Sequence, residues 1–95
     1  MGDMTNPILA KANEAVEGRR GLYGEPATEF ERVASMWSEL LGVPIRAVDV
    51  PVMMVIYKCV RSRVTPKYED NYVDIAGYAA IAAECVEFGR DDGTG

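Results

Sequence analysis

The segment between Thr28 and Gly42 constrains the fold most, because its apolar residues recur with the period of an α-helix. Steps of one, three and four residues separate these apolar positions: Phe30, Val33, Ala34, Trp37, Leu40 and Leu41. Residues with this spacing form one face of an amphipathic helix, and that face needs another element to cover it. Thr28 and Glu31 have the spacing of a capping box, and Gly42 predicts the C-terminal end of the helix.

Three further segments carry helical patterns, and no alternation is long enough to predict a β-sheet. Asn6 followed by Pro7 predicts the start of a first helix. Asp49 predicts the N-cap of a third helix, with Pro51 in its first turn. The alanine-rich residues 70–87 predict a fourth helix. We therefore expect an all-α fold, a compact four-helix arrangement in a single domain over residues 6–88, with a tail at 1–5 and a disordered tail at 89–95.

Glycines interrupt two of the helical patterns. Residues 18–26 contain three glycines and a proline, which predict a loop after the first helix. Arg19 and Arg20 in this loop would either close over an anionic ligand or act as solvated charges of an exposed linker. Gly77 lies in the middle of the last helix, where glycine costs about 1 kcal/mol relative to alanine. Close approach of another backbone would explain it.

Composition excludes several classes of function. The 95-residue chain has a net charge of −5, which argues against binding duplex DNA through clustered positive charge. It contains no histidine, which excludes histidine triads, histidine general bases and imidazole zinc ligands. No apolar run reaches the roughly 18–20 residues that span a membrane, so we expect a cytoplasmic protein. A chain this small builds one modest core, and self-association is expected.

The two cysteines do not form a metal-binding or redox motif. Cys59 and Cys85 lie far apart, without the spacing of a CxxC pair. Both fall on the apolar sides of predicted helices. They are predicted to be buried thiols.

Acidic and basic residues cluster on the third and fourth helices. Asp70 and Asp74 lie four residues apart, so they share a helix face and repel unless a cation lies between them. Lys58 and Arg61 project from one side of the preceding helix. Such a group forms either a magnesium site, in which Asp70 and Asp74 hold Mg²⁺ and Lys58 and Arg61 bind phosphate, or a structural salt-bridge network.

Two tyrosines are candidates for contact with a nucleobase. Tyr23 and Tyr72 fall outside the clearest core positions, and a base can stack on any aromatic ring. Core packing with a solvated hydroxyl group is the alternative.

The sequence resembles a small phage and prophage family of unassigned function over roughly residues 8 to 86. The resemblance rests on these segments: Tyr23-Gly24-Glu25-Pro26, Phe30 to Ala34 with Trp37, Asp49-Val50, Met53-Met54, Lys58, Arg61, Asp70-Asn71 and Asp74 to Tyr78. More distantly, the pattern is similar to the all-α MazG-like nucleoside triphosphate pyrophosphohydrolases. That similarity implies a MazG-like fold completed by oligomerisation and paired acidic motifs that hold Mg²⁺. The spacing of Asp70 and Asp74 departs from the ExxD of those enzymes, and an ExxE motif is absent from the chain.

The function expected from this resemblance is Mg²⁺-dependent conversion of a nucleoside triphosphate to its monophosphate and pyrophosphate. Asp70 and Asp74 would be catalytic and hold the metal, Lys58 and Arg61 would bind phosphates, and Tyr23 or Tyr72 would contact the base. Two alternatives remain open: a non-catalytic protein that binds a nucleotide or signalling molecule, and a helical protein-interaction module.

Overall fold

The computed structural model describes residues 6–88, and this part of the chain folds into four α-helices. The helices are α1 (Pro7–Tyr23), α2 (Pro26–Leu41), α3 (Asp49–Val64) and α4 (Glu69–Phe88). No strand occurs among the described residues. The all-α, four-helix prediction is therefore confirmed.

Helix α4 is the central element, with contacts to each of the other three helices. Ion pairs join Lys11 to Glu69 and Arg20 to Glu84, so α1 runs parallel to α4. Helix α3 packs antiparallel to α4 after a short connection, and Lys58 pairs with Asp74 across their interface. No residue of α1 is close to α3 within the described chain, which places these two helices on different sides of α4.

The core lies where α2 meets the other helices. Its buried residues come from all four helices: Val16, Phe30, Ala34, Val50, Ile81 and Cys85. Trp37 and Tyr78 pack against this cluster while partly exposed. The apolar face predicted for α2 is thus confirmed over its first three turns. Leu40 and Leu41 at the end of the helix are exposed instead, because no described element covers them.

Two of the predicted helix ends are confirmed. The Asn6 side chain accepts hydrogen bonds from the backbone N–H groups of Ile8, at 2.8 Å, and Leu9, at 3.4 Å. Such bonds satisfy amide groups that have no partner within the helix. Gly42 ends α2 with a positive φ of 74°, a conformation that favours glycine.

Two predicted N-caps are wrong. Helix α2 begins at Pro26 with Glu25 as the N-cap, so Thr28 lies inside the helix and no capping box forms. The proline fixes the backbone for a first helical turn and thereby starts the helix earlier. Asp49 is the first residue of α3 rather than its cap, and its carboxylate accepts a 2.7 Å hydrogen bond from the backbone N–H of Arg46.

The loop predicted at residues 18–26 is also wrong, because α1 continues through Gly18 and Gly21 to Tyr23. Arg20 forms ion pairs with Glu17, Glu25 and Glu84, which hold this last turn against α4. Tertiary contacts of this kind routinely override the weak helix propensity of glycine. The connection between α1 and α2 is reduced to residues 24–25.

Two expectations about single residues are wrong as well. Cys59 is exposed rather than buried, whereas Cys85 is buried as predicted. Gly77 does not face another backbone: a Cβ atom there would meet the Val16 side chain at 3.5 Å, an ordinary contact.

The tails predicted at 1–5 and 89–95 lie outside the described residues. None of the described helices is long and apolar enough to cross a bilayer.

Candidate functional site

Of the predicted site residues, Lys58 and Asp74 are the ones that meet. The Lys58 ammonium nitrogen lies 2.8 Å from Oδ2 of Asp74, with the two side chains 18% and 36% exposed. The pair bridges α3 and α4 at a partly dehydrated position. Its charges are therefore screened less than those of a fully solvated surface pair. This contact is the salt bridge that the sequence left open as the alternative to a metal site.

Asp70 lies one turn earlier on α4 and belongs to a different set of contacts. Its carboxylate accepts a long, 3.4 Å hydrogen bond from the Tyr68 hydroxyl group, and the residue is exposed. Glu69 beside it pairs with Lys11 of α1 at 2.7 Å, and this contact raises the pKa of Lys11. The charge of Asp70 contributes to the same rise. Asp70 thus acts on Lys11, whereas Asp74 faces Lys58.

Arg61 contacts an aromatic residue in place of an acid. Its guanidinium group lies 5.4 Å from the centre of the Tyr57 ring and donates a 3.2 Å hydrogen bond to the Tyr57 hydroxyl group. Cation–π contacts at exposed positions contribute about 0.5–1 kcal/mol. Arg61 is exposed, so its charge still reaches solvent.

Tyr23 and Tyr72 lie at opposite ends of the molecule. Tyr23 is the last residue of α1, beside Arg19, whose guanidinium group lies 5.2 Å from the ring centre. Tyr72 lies in the first turns of α4, and its hydroxyl group donates a 2.6 Å hydrogen bond to the carbonyl oxygen of Pro66. One nucleobase cannot contact both rings.

A groove between α1 and α4 brings polar groups together above an apolar floor. Its volume is about 150 Å³, and it is lined by Ala15, Val16, Arg19, Val73, Asp74, Gly77, Tyr78 and Ile81. Ligand pockets for drug-sized molecules have about 300–1,000 Å³. The groove therefore has room for one ring system rather than for a whole nucleotide. The absence of a side chain at Gly77 keeps it open.

A second, larger concavity of about 450 Å³ lies at the junction of α1 and α2, where Tyr23 forms part of the wall. Its charged lining residues are Glu25, Glu29 and Arg32. Two carboxylates against one guanidinium group make this surface unfavourable for a polyphosphate.

Of the acids of α2, Glu31 lies toward the C-terminal end of α4, away from Asp70 and Asp74. The charge of Glu31 acts on Cys85, and this effect adds to burial and Glu84 in raising the pKa of that thiol. Cys85 follows Asp74 by eleven residues, or about 16 Å along a helix. No cluster of three or more potential metal ligands occurs among residues 6–88.

Three further residues contribute to this region. Arg19 lines the groove from α1, whereas the sequence predicted it in a loop, either closing over an anionic ligand or solvated. Tyr78 also lines the groove, and the sequence assigned it no role at the site. Asn71 is buried, and its amide group donates to the carbonyl oxygen of Thr65 at 3.2 Å and to its hydroxyl oxygen at 3.1 Å. These bonds fix the α3–α4 connection and thereby the approach of Lys58 to Asp74. The sequence signal for this role was the position of Asn71, an uncharged polar residue between Asp70 and Asp74.

Comparison with known proteins identifies the family. The model of a domain of unknown function, DUF6378, matches residues 7–86. The chain belongs to the DUF6378 family. It is 38% identical over 76 residues to the Gene 55 protein of Mycobacterium phage L5, covering 78% of this chain and 49% of that protein. The Gene 55 protein of Mycobacterium phage D29 is 34% identical over 85 residues, covering 88% and 54%.

The DUF6378 chain thus spans about half the length of the curated relatives that it matches. The expected membership in a phage family of unassigned function is confirmed. No solved structure matches the chain significantly.

Proposed function

We propose that the DUF6378 chain is a non-catalytic binding protein for a nucleotide or nucleotide-like anion. The observation that supports this proposal is the α1–α4 groove, whose lining combines the charged residues Asp74 and Arg19 with apolar residues. A ring system would occupy the groove, and the attached phosphates would extend into solvent beside Arg19.

Asp74 has the chemistry to recognise the edge of a base. Its Oδ2 atom binds Lys58, but an ionised carboxylate has about four acceptor positions. The remaining positions accept hydrogen bonds from ring N–H or exocyclic amino groups. Lys58 holds the carboxylate in one orientation, so that little conformational freedom is lost when the base binds.

Arg19 supplies the positive charge for the phosphates. It is exposed, and its stacking on Tyr23 orients the guanidinium plane without using all of its five N–H donors. Tyr23 therefore has an indirect role in this proposal. Arg61 and Tyr72 lie outside the lining of the groove.

The competing proposal is the MazG-like pyrophosphohydrolase, with Asp70 and Asp74 as ligands of Mg²⁺. Asp70 is exposed, so its carboxylate is accessible to a metal ion from solvent. In this proposal further carboxylates come from a second copy of the chain, because no cluster of three or more potential metal ligands occurs among residues 6–88. Both proposals place the protein in the cytoplasm of the bacterial host.

The test is calorimetric titration of a nucleotide panel with and without Mg²⁺, with product analysis on the same samples. Asp74→Asn and Asp70→Asn are the matched pair of variants, because each removes one charge from the same helix. The binding proposal predicts at least tenfold weaker binding for Asp74→Asn, unchanged binding for Asp70→Asn and no products. The hydrolase proposal predicts Mg²⁺-dependent pyrophosphate release that both variants abolish. Absence of binding by the wild-type chain contradicts both and favours a protein-interaction module.

A further inference from the structure

Helix α3 has an apolar ridge on the side that faces away from the rest of the molecule. Four exposed residues at intervals of four form this ridge: Val52, Ile56, Val60 and Val64. Their exposed fractions are 43%, 59%, 60% and 78%. The buried residues of α3, Val50 and Pro51, lie on the opposite side of the helix. Ridges of residues four apart are the surfaces that interdigitate in the commonest class of helix packing.

Two opposite charges lie on the same side of α3, at equal distances from Ile56. Asp49 precedes Ile56 by seven residues and Arg63 follows it by seven. Seven residues are almost two full turns, so both side chains fall within about 20° of the direction of Ile56. Arg63 is exposed and has no ion-pair partner among residues 6–88. Asp49 is 33% exposed and forms a long, 3.3 Å ion pair with the exposed Arg46, and an exposed pair of this kind contributes little to stability and is open to exchange. The surface therefore has an acid at one end, an apolar middle and a base at the other end.

We propose that this α3 ridge, formed by Val52, Ile56, Val60 and Val64 and flanked by Asp49 and Arg63, binds the α3 ridge of a second copy in antiparallel orientation. A two-fold axis at Ile56 places Val52 opposite Val60, and Asp49 opposite Arg63, twice in each dimer. The antiparallel orientation also places opposite ends of the two helix dipoles together. A surface that is complementary to itself under a two-fold rotation is the requirement for an isologous dimer.

The exposed apolar residues at the end of α2 do not form a comparable surface. Met36, Leu40 and Leu41 lie at the end of α2, and Val43 continues them into the connection to α3. They form no straight ridge over a full helix. The nearby charges, Arg32 and Glu39, are not equally spaced about a central residue. The α2 residues therefore supply a control surface of similar exposure.

The first experiment measures the dissociation constant of the full chain by sedimentation equilibrium, for the wild type, Ile56→Glu and Leu40→Glu. Both substitutions place a charge at an exposed apolar position, so each variant should fold, and circular dichroism verifies this. We expect Ile56→Glu to weaken association at least tenfold and Leu40→Glu to change it less than threefold. A wild-type chain that stays monomeric up to about 1 mM, where even weak dimers are populated, overturns the proposal. A larger effect of Leu40→Glu than of Ile56→Glu also overturns it.

A charge exchange tests the antiparallel orientation separately. Arg63→Glu places an acid opposite Asp49 at both charged positions of the dimer. We expect association to be at least tenfold weaker and to recover at high salt, which screens the repulsion. Addition of Asp49→Lys to this variant restores the opposite charges and should restore most of the affinity. Failure of the double variant to dimerise, when its thermal unfolding is that of a folded chain, overturns the orientation.

Cross-linking provides the geometric test. Helix axes that pack 8–10 Å apart, with Cα atoms about 2.3 Å from each axis, bring two Ile56 Cα atoms to about 3.5–5.5 Å at the two-fold axis. This range overlaps the Cα separations of disulfides. In a Cys59→Ser background, Ile56→Cys should form a disulfide-linked dimer under mild oxidation, whereas Leu40→Cys should not. Cross-linking at Leu40 alone contradicts the proposal.

Discussion

At the scale of single residues, Asp74 shows why one motif permits two interpretations. The sequence places Asp74 near a basic residue, and both a metal–phosphate site and a salt bridge require that proximity. The structure brings the Lys58 ammonium group to 2.8 Å from its carboxylate, so the charge of Asp74 is already balanced. Which basic side chain meets which acidic one depends on how α3 is rotated about its axis relative to α4. Residue spacing along the chain does not predict that rotation.

The two cysteines should differ strongly in thiol reactivity. Cys59 is exposed, whereas burial raises the pKa of Cys85 and lowers its thiolate fraction at neutral pH. We expect an aromatic disulfide reagent at pH 8 to modify one thiol rapidly and the second at least 100-fold more slowly. Cys59→Ser removes the rapid phase and Cys85→Ser the slow one. Equal rates for both thiols in the folded chain would contradict the structure.

Gly77 and Gly42 should respond to alanine in opposite directions. At Gly77 the new Cβ atom meets Val16 at 3.5 Å, which requires no movement, and alanine raises helix propensity. We expect Gly77→Ala to increase the free energy of unfolding by about 0.5–1 kcal/mol. Gly42→Ala, at a φ of 74°, should lower it by about 1 kcal/mol, because this backbone conformation strains residues with a Cβ atom.

Urea unfolding followed by circular dichroism measures both changes. A destabilising effect of Gly77→Ala would mean that Val16 cannot accept the contact.

At the scale of helices, two capping residues predicted helix ends correctly, whereas local composition did not predict how far α1 continues. Asn6 and Gly42 act on the backbone groups next to them, and both end a helix as the sequence indicates. Helix α1 instead continues through two glycines, because Arg20 binds Glu84, a residue 64 positions further along the chain. A contact with that separation has no signature in the local composition. The position of Arg19 in the groove also has no local signature, because it depends on the continuation of α1 through residues that were predicted to form a loop.

Removal of Arg20 should loosen the junction of α1, α2 and α4. Its guanidinium group lies 2.6 Å from Glu25 and 2.8 Å from Glu84. The contacts with Glu84 and Glu17 raise its pKa further above the ordinary arginine value. We expect Arg20→Gln to lower the free energy of unfolding by about 1–3 kcal/mol, because it leaves the partly buried Glu84 without its charged partner.

Arg19→Gln is the matched control, since Arg19 is exposed and surface substitutions usually change stability by less than about 0.5 kcal/mol. Amide hydrogen exchange should show faster exchange in the last turn of α1 for Arg20→Gln. Equal free energies of unfolding for the two variants would contradict the structural role assigned to Arg20.

At the scale of the whole molecule, the all-α class follows from the sequence, whereas the arrangement around α4 does not. Helical periodicity identifies four amphipathic segments, but it does not say that α1 lies parallel to α4 or that α3 leaves an apolar ridge in solvent. These features depend on contacts between helices, such as the Arg20–Glu84 ion pair, and on the Asn71 bonds to the connection before α4. The groove and the α3 ridge therefore become visible only when the helices are assembled.

If the α3 ridge forms the proposed dimer, thermal stability must depend on protein concentration. Ligands or subunits that bind the folded chain and not the unfolded chain raise its stability by mass action. For a dimer that unfolds to separate chains, each tenfold increase in concentration adds about 0.7 kcal/mol per chain. A domain of this size has an unfolding entropy of about 0.2 kcal/mol/K, so Tm should rise by about 3–4 °C for each tenfold increase.

Differential scanning calorimetry over a hundredfold concentration range measures this slope. Ile56→Glu should abolish the slope without changing the Tm that the wild type approaches at low concentration, whereas Leu40→Glu should retain it. A wild-type Tm that does not change with concentration would show that folding is complete in the monomer. The apolar ridge of α3 would then contribute nothing to the stability of the folded chain.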